Sequence, residues 1–295
     1  MPIFLLSLLI LSCHFPNPAS KHASKEVIPP TTTIPSITTE PIAYPIWFLN
    51  PPTGLNFRTA VGYSPTYLDS DASIEAATQD GIEQLAKSIS VQIRGEVSAI
   101  GDYQKQYFQE IVPDSVKETV ADKSKILATH IGPKMTIVLL GLGEGNLINQ
   151  ETVMLQSLPT PSWIKEVPRQ KGYFYGSGHC GKRYYEESGW HTAEEDARIH
   201  LALNFQSYVN VLVKHFNSQV ETISITETDV ILNRIEVVGR WFDIKTKTYH
   251  VLVRAPLSQN ADAVRSELNQ LDNVSPPSRE KIIRRAFDEL EEEVR

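Results

Sequence analysis

The chain has 295 residues, 41% of them hydrophobic, with 28 Lys and Arg against 35 Asp and Glu for a net charge of −7. That size fits one or two domains with cores of their own, and the acid excess leaves no basic footprint for nucleic acid or for electrostatic attachment to anionic lipid. Only Cys13 and Cys180 are present, which excludes a disulfide framework.

Residues Ile3 to Leu11 are a nine-residue apolar run with one serine, Ser7, in it. It is too short to span a bilayer as a helix and has the length of a signal-peptide core. It closes on Ile10-Leu11-Ser12-Cys13, similar to the lipobox of bacterial lipoproteins, in which the cysteine is diacylated and becomes the new N-terminus. Residues 1–12 are therefore expected to be a lipoprotein signal peptide and Cys13 the lipidation site, with palmitate-type chains giving stable anchoring. Residues 13–44 follow, rich in Pro, Thr and Ser without apolar period, and read as a disordered tether with a reach of roughly 30 Å.

The remainder reads as two copies of one module, 45–146 and 161–258, joined by a linker at 147–160 and followed by 259–295. In the first copy, Phe57 to Tyr63 is expected as a strand, Asp71 to Ser88 as a helix and Ile89 to Val97 as a strand. Asp102 to Ile111 and Asp114 to His130 read as helical, broken by Pro113, and Met135 to Leu140 as a buried strand. In the second copy, Gly172 to Gly178 is expected as a strand. Thr192-Ala193-Glu194-Glu195 has capping-box spacing, so a helix is expected from there, passing at Val209 into a strand through Val213. Glu221 to Leu232 is compatible with helix or strand. Ile235 to Phe242 and Tyr249 to Val253 read as a hairpin, and Ser278 to Val294 as an amphipathic helix whose basic start and acidic end oppose its dipole. A shift of 120 positions pairs Ala77 with Ala197, Gly81 with Leu201, Leu85 with Phe205, Ile89 with Val209, Val91 with Val211 and Ile93 with Val213. Pro45-Ile46-Trp47 likewise echoes Pro161-Ser162-Trp163. The fold class expected is α+β, two tandem small modules, each an antiparallel or mixed sheet with helices packed on one face.

Trp47 and Trp163 before a proline, Val61-Gly62 and Gly176-Ser177-Gly178 ending a strand, the alanine-bearing helices, and Val238-Gly239-Arg240-Trp241-Phe242-Asp243 with Tyr249 to Val253 together resemble the lipoprotein-20 family. These are bacterial outer-membrane and surface lipoproteins whose module also resembles the N-terminal part of flagellar assembly protein T. The resemblance covers most of residues 45–257. It implies a small α/β module with a role in envelope assembly or surface display, in the cell outer membrane facing periplasm or surface, with a protein partner and without catalysis or cofactor.

Other constellations carry weaker chemistry. His179, Cys180 and His191, with His200 nearby, are the candidate metal ligands of an alternative reading as a periplasmic metal-dependent enzyme; their spacing matches no finger or zincin pattern. Gly141-Leu142-Gly143-Glu144-Gly145 lacks Rossmann spacing, and Ser177 and Ser188 lack a nucleophile elbow. Glu194-Glu195-Asp196 and the acidic run near Glu289 read as a helix start and a solvated face. Trp47, Trp163, Trp190 and Trp241 are expected in cores, the alternative being a platform in a peptidoglycan-binding module.

Overall fold

A computed structural model describes residues 42–54, 57–100, 103–144, 148, 150–216 and 227–260. The chain divides into Met1–Glu40 and Pro41–Arg295, and every described element belongs to the second unit. The expected signal peptide, Cys13 and the Ser278 to Val294 helix lie outside the described residues, as does the tether up to residue 41.

The fold is α+β. A short strand β1 (Ala43–Pro45) leads into the single-turn helix α1 (Ile46–Leu49), followed by β2 (Phe57–Pro65), the long helix α2 (Ser70–Ile89) and β3 (Ser90–Ile100). Asp69 caps α2, its carboxylate accepting from the Asp71 and Ala72 amides. Next come β4 (Tyr103–Ile111), α3 (Asp114–Lys123), β5 (Lys125–Ile131), β6 (Met135–Gly143) and β7 (Thr152–Met154). The second half holds β8 (Tyr173–Gly181), α4 (Glu186–Phe216), β9 (Glu227–Asn233), β10 (Glu236–Asp243) and β11 (Thr248–Pro256).

Two three-stranded antiparallel sheets share one plan. In the first, β6 lies between β2 and β5, and in the second, β11 lies between β8 and β10. Each order is strand, helix, hairpin, with the last strand central. The hairpins even slip register at matching places, between Ile126 and Ala128 in β5 and between Val237 and Gly239 in β10. Glycine sets the helix distance in both. A Cβ on Gly62 would stand 1.9 Å from the Ala77 carbonyl and 2.3 Å from the Gly81 nitrogen, and one on Gly176 would stand 2.3 Å from the Ala197 carbonyl and 2.6 Å from the Leu201 nitrogen. Only a residue without Cβ admits the helix backbone so close. A Cβ on Gly178 would likewise stand 2.2 Å from the Ala193 carbonyl and 2.2 Å from the Ala197 nitrogen. Gly62, Ala77 and Gly81 thus correspond in space to Gly178, Ala193 and Ala197, at the 116-position shift of Trp47 to Trp163, and the 120-position pairing of the helices is one turn out of register.

The third sheet, β4-β3-β9, draws on both halves: Val91 pairs with Leu232 and Ile93 with Val230. Within the expected linker, β7 pairs with β1, and Leu155 just after it is buried. Phe48, Leu85, Ile93, Leu139, Trp190, Phe205 and Leu232 are all fully buried in one continuous apolar cluster.

Four further expectations are corrected. The strand expected at Val209 to Val213 is helix, because α4 meets no Gly or Pro after Gly189 and an established helix adds residues more easily than it stops. The partner that β3 needs is supplied instead by β9, in the stretch compatible with either state. Helix α4 begins at Glu186, before the capping-box spacing; the Thr192 hydroxyl donates to the Ser188 carbonyl inside it. Of the stretch expected as a helix from Asp102 to Ile111, the described part, Tyr103–Ile111, is the strand β4, antiparallel to β3 with Ile100 opposite Tyr103. Asp114 to His130 is split after Lys123, where Ser124 is extended (φ −74°, ψ 155°) and Lys125–Ile131 joins β6.

A candidate functional site between the two modules

The two sheet-and-helix modules meet over a set of buried charges. Arg240 enters it because β10 is buried on both faces from Gly239 to Phe242, so its guanidinium has no route to water. It donates to the Glu194 carboxylate from Nε at 2.9 Å and Nη2 at 2.6 Å, and from Nη1 to the Phe48 carbonyl at 2.9 Å. Both side chains are 1% exposed. The Tyr63 hydroxyl, on β2, donates to the same Glu194 oxygen and accepts from Arg240.

One helical turn on from Glu194, Arg198 lies 3.6 Å from its other carboxylate oxygen and donates twice to Glu110 of β4, with Nη2 at 3.1 Å. Glu110 accepts Lys87 of α2 at 3.0 Å, and Lys87 reaches Glu83 at 3.1 Å. Charges therefore alternate in sign from β10 through α4 and β4 to α2. Burial pushes Glu194 up, but Arg240 and Arg198 outweigh it and hold the carboxyl below its ordinary range; Arg198 and Lys87 do the same against burial for Glu110. Burial raises Tyr63 well above its ordinary value. Glu194 and Glu110 are each held by several donors, so the arrangement fixes the position of the modules.

Beside this row lies a His–Asp pair. His191 of α4 places Nε2 3.3 Å from Asp80 of α2, and its Nδ1 is 3.3 Å from the Gln84 amide nitrogen. With Nδ1 accepting from Gln84, Nε2 carries the proton toward Asp80, so both ring nitrogens are engaged. Asp80 also accepts the Tyr63 amide at 2.8 Å. Burial raises its pKa, and His191, Tyr63 and Gln84 counter only part of that.

The structure does not bring His179, Cys180 and His191 together. Adjacent positions on β8 point to opposite faces: Cys180 is buried and accepts the Arg183 Nε at 3.2 Å, while His179 is exposed beside His250. Among the described residues no three His, Cys, Asp or Glu side chains converge as metal ligands. Asp196, His200 and Asn204 instead line up at four-residue intervals along α4 and serve the open edge of β8. Asp196 accepts the His179 amide at 2.9 Å, His200 donates to the Ser177 carbonyl at 2.8 Å and Asn204 to the Tyr175 carbonyl at 3.2 Å. Ser177 is thus a strand residue and Ser188 a helix residue, and Gly141 to Gly143 end β6. Trp47, Trp190 and Trp241 are buried, and Trp163 packs against Gly239.

Sequence reasoning passed over Tyr63, Asp80, Glu110, Arg198 and Arg240. One signal was available: Arg240 is a charge within the apolar stretch Val237 to Phe242, which a buried partner must balance.

No family model matches the chain, and no curated protein does. Among solved structures the chain is similar to the secreted protein HP1454 from the human pathogen Helicobacter pylori, at 19% identity and a TM-score of 0.24, over 42% of this chain and 53% of that one. The chain spans about half the length of that protein. Among the described residues no helix is long and apolar enough to cross a membrane.

Proposed function

We propose that this chain is a lipid-anchored, non-enzymatic lipoprotein of the cell outer membrane. Cys13 holds it to the bilayer, and the paired modules act as a structural or protein-binding body in outer-membrane, surface or flagellar assembly, as the resemblance to the lipoprotein-20 family implies. The observation that carries the reading is the apolar run Ile3 to Leu11 closing on Leu11-Ser12-Cys13, followed by a Pro, Thr and Ser stretch. The modules support the binding role by what they keep rigid. The buried network around Arg240 and Arg198 is committed to internal pairs, which suits a body that presents surface rather than one that turns over substrate.

Intact-mass spectrometry of the membrane fraction tests this. A diacylglyceryl mass on a chain beginning at Cys13, lost together with membrane retention in Cys13→Ala, is the expected result. An unmodified, soluble chain starting at Met1 would sink the proposal.

A further inference from the structure

The excess of acid over base in the whole chain hides a local excess of the opposite sign. Sheet register brings it about: Thr248 at the start of β11 pairs with Gly181 at the end of β8 and with Asp243 at the end of β10. The loop after β8, Lys182-Arg183-Tyr184-Tyr185, and the β10–β11 turn, Ile244-Lys245-Thr246-Lys247, therefore emerge from the same end of the second sheet. Four cations and no acid occupy those eight positions.

The side chains are presented outward. Lys182, Arg183 and Lys245 are exposed, and Lys182, Lys245 and Lys247 make no ion pair among the described residues. Tyr184 is 93% exposed and Tyr185 56%, their rings edge to face at 4.8 Å. Arg183 is steadied by its Nε bond to the Cys180 sulfur. Two of the acids nearest in sequence are occupied: Asp243 accepts the Lys245 and Thr246 amides at 2.8 and 3.3 Å, and Glu186 accepts the Tyr44 hydroxyl; Glu187 is half-buried.

We propose that this end of the second sheet is a contact site for an anionic lipid bilayer. Lysine and arginine supply attraction to the headgroup phosphates, while exposed tyrosines lodge at headgroup depth, where a ring with an apolar body and a polar tip is at home. The two exposed tyrosines beside the cations are what favours a bilayer, whose interface takes up amphipathic rings. The acidic remainder of the chain is repelled by the same headgroups, so the contact also orients the body. The site is separate from Cys13 and would act whether or not that residue is acylated.

The test uses full-length Cys13→Ala, which removes acylation, and compares it with the same chain carrying Lys182→Gln and Lys245→Gln. Co-sedimentation is measured with phosphatidylglycerol–phosphatidylethanolamine vesicles and with phosphatidylcholine vesicles at low salt. Each cation near an anionic surface contributes about fivefold, so the double substitution is expected to lower partition onto anionic vesicles about thirtyfold and leave phosphatidylcholine unchanged. The apolar run at residues 3–11 is common to both chains and cancels in the comparison. Both lysines are exposed, and matching far-UV circular dichroism shows the fold is retained. Equal partition of the two chains onto anionic vesicles would overturn the proposal. So would binding of a short DNA duplex as tight as that of the vesicles and lost in the same variant, which would make this end of the sheet a general polyanion site.

Discussion

Arg240 ties the internal polar network together, since it touches Glu194, Tyr63 and the Phe48 carbonyl. Arg240→Met removes one partner of a buried pair and strands a carboxylate, a change that costs about 3–5 kcal/mol, read as a lowered urea midpoint at unchanged slope. The pair also shapes the acid limb of stability. Glu194 and Glu110 titrate lower folded than unfolded, so their stabilisation is complete above the unfolded value of about 4.3 and is lost as pH falls through the folded values. Asp80, raised by burial, works the other way, and its contribution improves as pH falls. The wild-type midpoint is expected to drop on acidification below about pH 4.3, and to drop less steeply in Arg240→Met, where Glu194 has lost its larger counter-charge. An equally steep limb in the variant would show that other carboxylates control it. At this scale the sequence was least informative: a glutamate in a capping-box spacing and a lone arginine in a strand do not announce each other across 46 positions.

At the scale of the element, the close strand-to-helix crossings decide the packing. Gly62→Ala puts a methyl group into the backbone of α2, and overpacking of this kind costs about 1–3 kcal/mol or more. At Gly181 nothing lies within 4 Å of an added Cβ, and Gly181→Ala is expected to stay within about 0.5 kcal/mol. Thermal unfolding of the two variants side by side checks the contrast; similar losses at both positions would refute it. The glycines and the alanine-bearing helices were legible because their spacing repeats. The β10–β11 hairpin was legible because apolar residues alternate around a polar turn. The β3–β4 hairpin was not, since its second strand is Gln-rich and alternates little in polarity. Valines at two-residue spacing misled at the end of α4, where intrinsic strand preference yields to a helix already formed.

For the whole molecule, the repeat in sequence suggests two bodies, yet the sheet β4-β3-β9 and the row of charges run across both. A fragment of residues 42–158 lacks the second strand beside β3, the Arg198 partner of Glu110, and the Glu194 and Arg240 partners of Tyr63. It is expected to be largely unfolded by far-UV circular dichroism, whereas the complete chain unfolds in one transition. A fragment with a cooperative transition of its own would show that the halves are energetically independent.

The pairing of β3 with β9 also bears on when folding can finish. Gln92 and Asp229 touch across 137 positions of chain, so the first half has an unfilled sheet edge until most of the polypeptide has been made. Contacts that distant form late and slowly. A chain destined, on the reading proposed above, to be threaded unfolded through an export channel gains from such a delay: no finished half exists early enough to block its passage, and the last strand to arrive on the far side closes the structure.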